Sequence, residues 1–577
     1  MGRGTINVEN TVTYRLWSDP MLKQWAETRA PYNQSSQIER LIMTRAFPRL
    51  TRPLGDPQLT NAYLIGGGIS SLAVAVHLIH DASVPPSQIH VLESGSGHSM
   101  PARGSPETGY ILGAEQMLNS SCVCLYDLLS MVPSLIDPTL SLKQEIEDFN
   151  ARPSRKTYAN SRIVATGEGE PQILEAKDLG LRESDKLDII KLLTTPEKKL
   201  NDSKVTDYFE EAFFRTNFWF MWATMYGFIL GLPRISTLEG LHHTPFNHYE
   251  SIILPIRTYL EDKGVDFQPD TEVFRLSFAE GSDIEVDEIH FTNNLVHGSH
   301  HVESPDVVFL DLDPTIVSNS FGNNRSSCLP SQSVHEEVKS PGNGWSLWSF
   351  LFFSSLLKTP QASQLGNPKN FSSRIQESCL LMFTVTLHNH DFFRLFEQWS
   401  SNSPGTGGLT TFRDSNWLLS IIIPNQPYFS KQPNNVDVFW GYALFPEKSG
   451  NIIQKPMVEC TGQEILTELL GLLSFPKDNI LVNAIVVPHL APYATSPLLT
   501  RTHQDRPQVI PEASANLALL GQFVEIPEDA VFAMEYSVRV AQTAVFRMMG
   551  LQKKPKDIHK GGRDIMTLIK ALKALLV

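Results

Sequence analysis

The stretch that decides the fold is "AYLIGGGISSLAVAVHLIHDASVPPSQIHVLE", residues 62–93. It opens on a short apolar run bounded by glycines, as expected of a strand buried on both faces. "SSLAVAVHLIHDA" is rich in Ala and Leu and free of Gly and Pro, so a helix follows. Pro85 and Pro86 stop that helix, and "IHVLE" reads as a second buried strand. Between the first strand and the helix lies Gly66-x-Gly68-x-x-Ser71. Gly66 permits a tight turn, and Gly68 lets a pyrophosphate approach the backbone at a helix N-terminus. Ser71 is the small third residue, where Gly or Ala is usual, and Ser70 beside it joins the cofactor-binding set. Glu93 closes the second strand 27 residues after Gly66, where an acid can accept a ribose hydroxyl. Glycine turn, helix and strand-terminal acid in this order predict dinucleotide binding. The bland alternative is a purely structural glycine turn.

Working outward, 577 residues exceed what one hydrophobic core supports, so several domains are expected. Apolar residues make up 41% and charged residues 19%, an ordinary globular composition. A net charge of −14 argues against general nucleic-acid binding, which needs a basic face. The five cysteines (Cys122, Cys124, Cys328, Cys379 and Cys460) have neither disulfide-framework nor zinc spacing. The N-terminus "MGRGTINVEN" has no apolar signal region, and Ile6 argues against myristoylation at Gly2. The most apolar window, "FWFMWATMYGFILGL" (218–232), is shorter than the roughly 20 residues a bilayer requires. The expectation is a cytoplasmic protein, attached to one membrane face at most.

The predicted organisation is an α/β fold with a Rossmann-like FAD-binding domain, a mixed α+β substrate domain and a helical C-terminal segment. An irregular arm covers 1–59, with a helix in "SDPMLKQWAETRA". The FAD-binding domain is discontinuous over 60–150, 240–320 and 505–550. The substrate domain takes 151–239 and 321–504, and 551–577 forms a terminal amphipathic helix. Residues 318–345, rich in Ser, Asn, Gly and Pro, read as a surface connection. "CLLMFTVTLHN", "NWLLSIIIP" and "VDVFWGYALF" alternate as strands of a second sheet. "NLALLGQFVE" (516–525) reads as a buried strand ending at Gly521, before a long helix. That arrangement suits a chain returning to a flavin, although a bland strand–helix pair reads the same way.

Other candidates are weaker. In the aromatic block, Trp219, Trp222 and Tyr226 recur at near-helical spacing; a buried core face is the first reading, the wall of an apolar tunnel the second. His242, His243 and the "HGSHH" stretch (297–301) have no carboxylate partner at helical spacing, so solvated loop histidines are expected and no metal site. The tail "DIMTLIKALKALLV" either packs on its own domain or lies in a membrane interface with Lys570 and Lys573 beside its apolar face.

Taken together, "AYLIGGGISSLAVAVHLI", "TPFNHYESIILPIRTYLEDKGV", "TTFRDSNWLLSIIIPNQPYF", "VFWGYALFPEKSGN" and "RPQVIPEASANLALLGQFVEIPEDAVFAMEYSVRVAQ" resemble the oleate hydratases, also called the myosin-cross-reactive antigen family. The resemblance runs from about residue 15 to 550. It implies FAD, used without net redox turnover, and a tunnel for an unsaturated fatty acid. It also implies a homodimer that touches membranes, and addition of water across the cis-9 double bond of oleate to give a 10-hydroxy acid. Hydrating an isolated alkene calls for a strong proton donor at one carbon and an oriented water at the other, in a dry site. A buried carboxyl with a raised pKa and a tyrosine suit those tasks.

The departures from the family pattern concentrate at the site. Its flavin-facing loop resembles R-G-G-R-E-M, with the Glu catalytic. Here the matching stretch is Leu112-Gly113-Ala114-Glu115-Gln116-Met117. Anchored on Gly113 and Met117, the acid position is Gln116, an amide, while Glu115 stands where the family has Arg. A one-residue slip of the loop would instead turn Glu115 inward. The stretch carrying the family's catalytic tyrosine is missing after "YGFILGLP". The carboxylate-binding positions become His248, Ile422, Pro424 and Tyr428, and a flavin contact becomes "DLDPT" (311–315). A diverged homologue and a deduced protein lacking an exon both fit the missing stretch; the altered Gln116, Ile422 and Pro424 point to divergence. The rival readings are an FAD-dependent oxidoreductase on a lipid and a non-catalytic fatty-acid-binding protein.

Overall fold

Ala62–Ile65 is buried at all four positions and forms the middle strand of a five-stranded parallel sheet in the computed structural model. The structure describes residues 56–558 except 95–101, 114, 116–117, 153–160, 166–168, 175–178, 196–198, 200–202, 227–240, 282–283, 314–318, 330–343, 359–364, 513, 528 and 530–533. The sheet order is Leu517–Leu520, Val307–Asp311, Ala62–Ile65, Ile89–Leu92 and Asp266–Gln268, every neighbouring pair parallel. The chain is therefore an α/β protein with a Rossmann-like unit. The helix Ile69–His80 provides the crossover between the first two strands and buries Leu72, Val74, Val76 and Leu78. Each such side chain contributes roughly 1.5–3 kcal/mol of transfer free energy. Strand order reverses between Ala62–Ile65 and Val307–Asp311, so a crevice for ligand is expected outside the carboxyl ends of these two strands.

After Asp266–Gln268 the chain makes an antiparallel meander of Thr271–Phe278, Val286–Asn293 and Val296–His301. The histidine-rich 297–301 stretch is thus a strand rather than the expected loop. Its polarity misled because an edge strand keeps a solvated face. Gly298 fits there because a Cβ would come within 2.8 Å of the Phe291 ring. The expected surface connection at 318–345 also needs correcting at its ends. Ser320–Phe321 pairs with another strand, and a helix begins at Gly344.

The second sheet has eight strands and joins distant parts of the chain. Its order is Ser320–Phe321, Ala484–Ala491, Leu380–Leu387, Asp437–Ala443, Leu419–Ile422, Thr410–Phe412, Arg162–Ala165 and Gln172–Leu174. Leu380–Leu387 is buried at all eight positions, because helices and aromatic side chains cover both of its faces. The predicted aromatic helix is present as Asn217–Tyr226, with Trp219 and Trp222 buried in the cluster that also holds Tyr110, Tyr428, Phe429 and Trp440.

The last described helix, Met534–Met548, packs on Ile69–His80 and on Val123–Ser130. Cys122 gives Val123–Ser130 no side-chain cap. Glu535 supplies the missing acceptor from far along the chain, taking the Cys124 and Leu125 N–H groups at 3.0 and 2.8 Å. Arg539 balances its charge at 2.7 Å. Glu535→Ala leaves two N–H groups without that acceptor and is expected to cost about 2 kcal/mol. An unchanged urea midpoint would mean that water serves this helix end equally well. Of the expected arm 1–59, residues 1–55 lie outside the described residues and Pro57–Leu59 forms a short 3-10 turn. Of the expected terminal helix 551–577, residues 551–558 are not helical and 559–577 lie outside the described residues. Among the described residues, no helix is long and apolar enough to cross a membrane.

Candidate functional site

The glycine turn sits at the carboxyl end of the middle strand. Gly66 has φ +107°, a conformation that favours glycine, and its N–H donates to Leu92 O at 2.9 Å. Gly67, in the middle of the turn, lies against the acid: a Cβ there would fall 2.1 Å from Glu93 Oε1. Gly68 is the N-cap of Ile69–His80 without a side-chain cap, and the first turn holds no acid. That leaves backbone N–H groups available for an anion. Ser70 and Ser71, in the first turn of Ile69–His80, are buried, filling the small-residue role.

Glu93 is 1% exposed, and its Oε1 accepts from Arg257 Nη1 at 2.7 Å. Its Oε2 is buried without a hydrogen-bond partner. Burial pushes this carboxyl upward, and the Arg257 hydrogen bond opposes that rise. Arg257 also stacks over Phe267 at 4.4 Å, so its guanidinium is held from two sides. At the far side of the turn stands Asp311, the last residue of Val307–Asp311. Its Oδ1 accepts from Asp313 N at 3.0 Å. A Cβ at Gly521, which has φ +95°, would meet that oxygen at 2.6 Å. The open glycine turn, the uncapped helix end and the unpartnered Glu93 Oε2 fit a dinucleotide. The Asp311 carboxyl, when charged, opposes a pyrophosphate at this turn.

The second half of the site is built on the loop that leaves the hairpin of Arg103–Ser105 and Gly109–Ile111. Tyr110 N and Leu112 N donate to Thr386 Oγ1 and Thr384 Oγ1 at 2.8 and 3.0 Å, which ties this segment to the large sheet. The Tyr110 ring stacks on Phe429 with centroids 4.1 Å apart. Gly113 follows with open space where a Cβ would be, so sterics do not demand glycine there. Gln116 lies outside the described residues.

Glu115 is turned inward. Its Oε1 accepts from His248 N at 3.1 Å, and Tyr428 donates its phenol to Oε2. Burial pushes the Glu115 carboxyl up to about 7, against the pull of those two donors and with the charge of Glu250 adding to the rise. Burial also pushes His248 down to about 4, so its ring is neutral at pH 7. The Tyr428 phenol is held well above its ordinary value by burial and by the adjacent carboxylate. Tyr428 is well anchored: its N–H donates to Gln432 Oε1 at 2.8 Å, while Asn247 Nδ2 donates to its carbonyl at 3.0 Å. Glu250 Oε2 accepts from Ser430 N at 2.7 Å, completing the link between the 245–250 and 424–430 segments.

Of the residues singled out in the sequence, Glu115, His248 and Tyr428 therefore meet, while Gly66, Gly68, Glu93 and Gly521 gather around the turn. Ile422, paired with Trp440, and Pro424 offer no polar side-chain atom to a carboxylate. Asp311 opens the "DLDPT" stretch that replaces a flavin contact of the family; Arg257 and Glu250 are not among the sequence candidates. The signal for Arg257 is a lone Arg in the helix that leads to Asp266–Gln268, the neighbour of the strand before Glu93; Glu250 has none beyond being acidic. Tyr126 bonds His242 at 2.7 Å, and no cluster able to hold a metal exists among the described residues.

An oleate hydratase from Streptococcus pyogenes serotype M49 (strain NZ131) is 30% identical over 565 residues, covering 91% of this chain and 91% of its own. A linoleate hydratase from Lactiplantibacillus plantarum is 29% identical over 580 residues, covering 89% of this chain and 98% of its own. Among solved structures, an oxidoreductase from Methanosarcina mazei overlaps 83% of this chain and 99% of its own at 12% identity. Its TM-score of 0.43 is too low to bear on function. The sequence model of the MCRA family matches residues 59–546, which span both the glycine turn and the Glu115 corner. The chain belongs to the MCRA family.

Proposed function

We propose that the protein is a hydro-lyase that adds water to the double bond of an unsaturated fatty acid, with Glu115 as proton donor. Membership of the family and similarity to oleate and linoleate hydratases support the reaction class. The observation that carries the residue assignment is the Glu115 carboxyl, pushed up to about 7 beside the Tyr428 phenol. A carboxyl of that pKa is about half protonated at pH 7, where an ordinary carboxyl would be almost fully ionised, and a general acid requires the protonated form. Its proton goes to one alkene carbon, water adds to the other, and the proton that water loses returns to the Glu115 carboxylate. Tyr428 and the His248 N–H orient the carboxyl and stabilise it while it is charged. The aromatic cluster around Tyr110, Trp222 and Trp440 keeps bulk water away.

FAD is the cofactor of this reading, held by the Gly66–Gly68 turn, the N-terminus of Ile69–His80 and Glu93. When bound it supplies a flat conjugated ring without net redox turnover. The cis-9 bond of oleate as substrate belongs to the same proposal. So do a homodimer and contact of 551–577 with a lipid surface, carried by the resemblance alone.

Purified full-length protein, FAD and oleate, followed by mass spectrometry, are expected to yield a fatty acid bearing one added water. Absence of the hydroxy acid with both oxidised and reduced flavin, in protein that still binds oleate, would replace this reading with a fatty-acid-binding one. Reversible bleaching of the flavin by substrate would instead favour an oxidoreductase.

A further inference from the structure

Asp311 occupies the strand end at the point where the order of the parallel sheet reverses, the place where such sheets receive their ligands. Its side chain reaches into the cradle made by three glycines. A Cβ at Gly68 would lie 2.8 Å from Asp311 Oδ2, one at Gly521 2.6 Å from Oδ1, and one at Gly66 3.0 Å from Asp311 Cβ. The cradle that a pyrophosphate needs is therefore floored by a carboxyl group. A phosphate drawn to the N-terminus of Ile69–His80 would meet an ionised Asp311 as a like charge in a poorly hydrated crevice.

We infer that Asp311 makes cofactor binding proton-linked: the FAD pyrophosphate is accepted by the form of the protein in which the Asp311 carboxyl is neutral. This rests on the reading that the turn binds FAD, and it adds a property of this chain's own residue. The surroundings favour such a switch. Asp313 on the following loop is the charged neighbour, and its charge adds to burial in holding the Asp311 carboxyl up to about 7. The glycine turn and the first turn of Ile69–His80 present no acidic or basic side chain. Leu517–Leu520 brings only apolar side chains and then Gly521. The helix from Gly344 meets this strand end through backbone, the Asp311 carbonyl lying 3.5 Å from where its Cβ would be. Glu93 and Arg257 face the opposite flank of the turn, at Gly67, and neutralise each other.

The sign follows from the linkage. Below its pKa Asp311 is protonated and the turn accepts the dianion. Above it, each bound FAD must bring one proton with it, so affinity falls as pH rises. With only the neutral form competent, the Kd is expected to be about 30-fold weaker near pH 8.5 than near pH 6. The pyrophosphate keeps its charge throughout that range, so the dependence belongs to the protein.

The test is a fluorescence titration of full-length apoprotein with FAD across that range, for the natural chain, Asp311→Asn and Asp313→Asn. The expected result is a Kd that rises with pH in the natural chain and is flat and tighter at alkaline pH in Asp311→Asn. Asp313→Asn retains the slope, displaced to lower pH, because it removes the charge that helps hold the Asp311 carboxyl up. Calorimetry of the natural chain in two buffers of different ionisation enthalpy gives a reading that needs no variant: about one proton taken up per FAD near pH 8. A flat profile in the natural chain, no proton uptake, or a slope that survives in Asp311→Asn overturns the inference while leaving the FAD reading intact. If neither the natural chain nor Asp311→Asn binds FAD at any pH, the FAD reading fails and this inference fails with it.

Discussion

Glu115→Gln is expected to lower the rate of hydration by about 10²–10⁴-fold, the range a positioned general acid contributes. Glutamine keeps the size of the side chain; its carbonyl can still accept from His248 N while its NH2 donates to the Tyr428 oxygen, so the fold and fatty-acid affinity are expected to persist. What it loses is the proton. Because burial raises the Glu115 carboxyl to about 7, the natural chain is active while the group is protonated. Its kcat is expected to decline about tenfold per pH unit above that value. The residual activity of Glu115→Gln loses this limb of the profile, a change that damage to the fold alone would not produce. Gln116→Glu discriminates the two readings of the loop. If Gln116 held the acid position, that substitution would raise activity and Glu115→Gln would leave it unchanged; this pair of outcomes would overturn the assignment.

Arg257→Ala is expected to destabilise the protein by roughly 3 kcal/mol near neutral pH, because it strands a buried carboxylate. Glu93 is 1% exposed and its other oxygen already lacks a partner, so nothing else on hand receives the charge. Loss of the guanidinium from the face of Phe267 contributes about 0.5–1 kcal/mol of this. The pH dependence identifies the cause. Burial pushes the Glu93 carboxyl upward, and removing Arg257 takes away the hydrogen bond that opposed the rise. As pH falls through that raised pKa, Glu93 becomes neutral and the penalty shrinks. Thermal melts of the two proteins are therefore expected to differ more near pH 7.5 than near pH 5.5. A difference independent of pH would assign the loss to packing instead. Arg257→Lys retains the charge without the planar fork and is expected to fall between the two.

These two substitutions mark where reading the chain residue by residue succeeded and where it ran out. The strand Ala62–Ile65, the glycine turn, the helix Ile69–His80 and the acid Glu93 form one continuous segment. Its glycine positions, apolar runs and prolines act locally, so their meaning is independent of the rest of the fold. Three strands of the second sheet, Leu380–Leu387, Leu419–Ile422 and Asp437–Ala443, were legible from their apolar, β-branched and aromatic runs; the other five were not among the expected elements. The edge strand at 297–301 was not legible either, because its solvated face lacks an apolar repeat.

The side-chain meetings at the site belong to the tertiary structure. Arg257 pairs with Glu93 across 164 residues, and Tyr428 donates to Glu115 across 313. No local preference specifies such contacts; they follow from how the parallel sheet stacks its strand ends and how Thr384 and Thr386 grip the 110–112 segment. Sequence alone determined that a glycine turn joins the strand Ala62–Ile65 to the helix Ile69–His80 and that the loop after Gly113 carries one acid and one amide. Only the folded chain decided that Glu115 faces Tyr428 and that Asp311 lies beneath the turn. Side-chain direction is set by backbone anchored to distant strands, and the energy of a charge depends on the neighbours those strands bring.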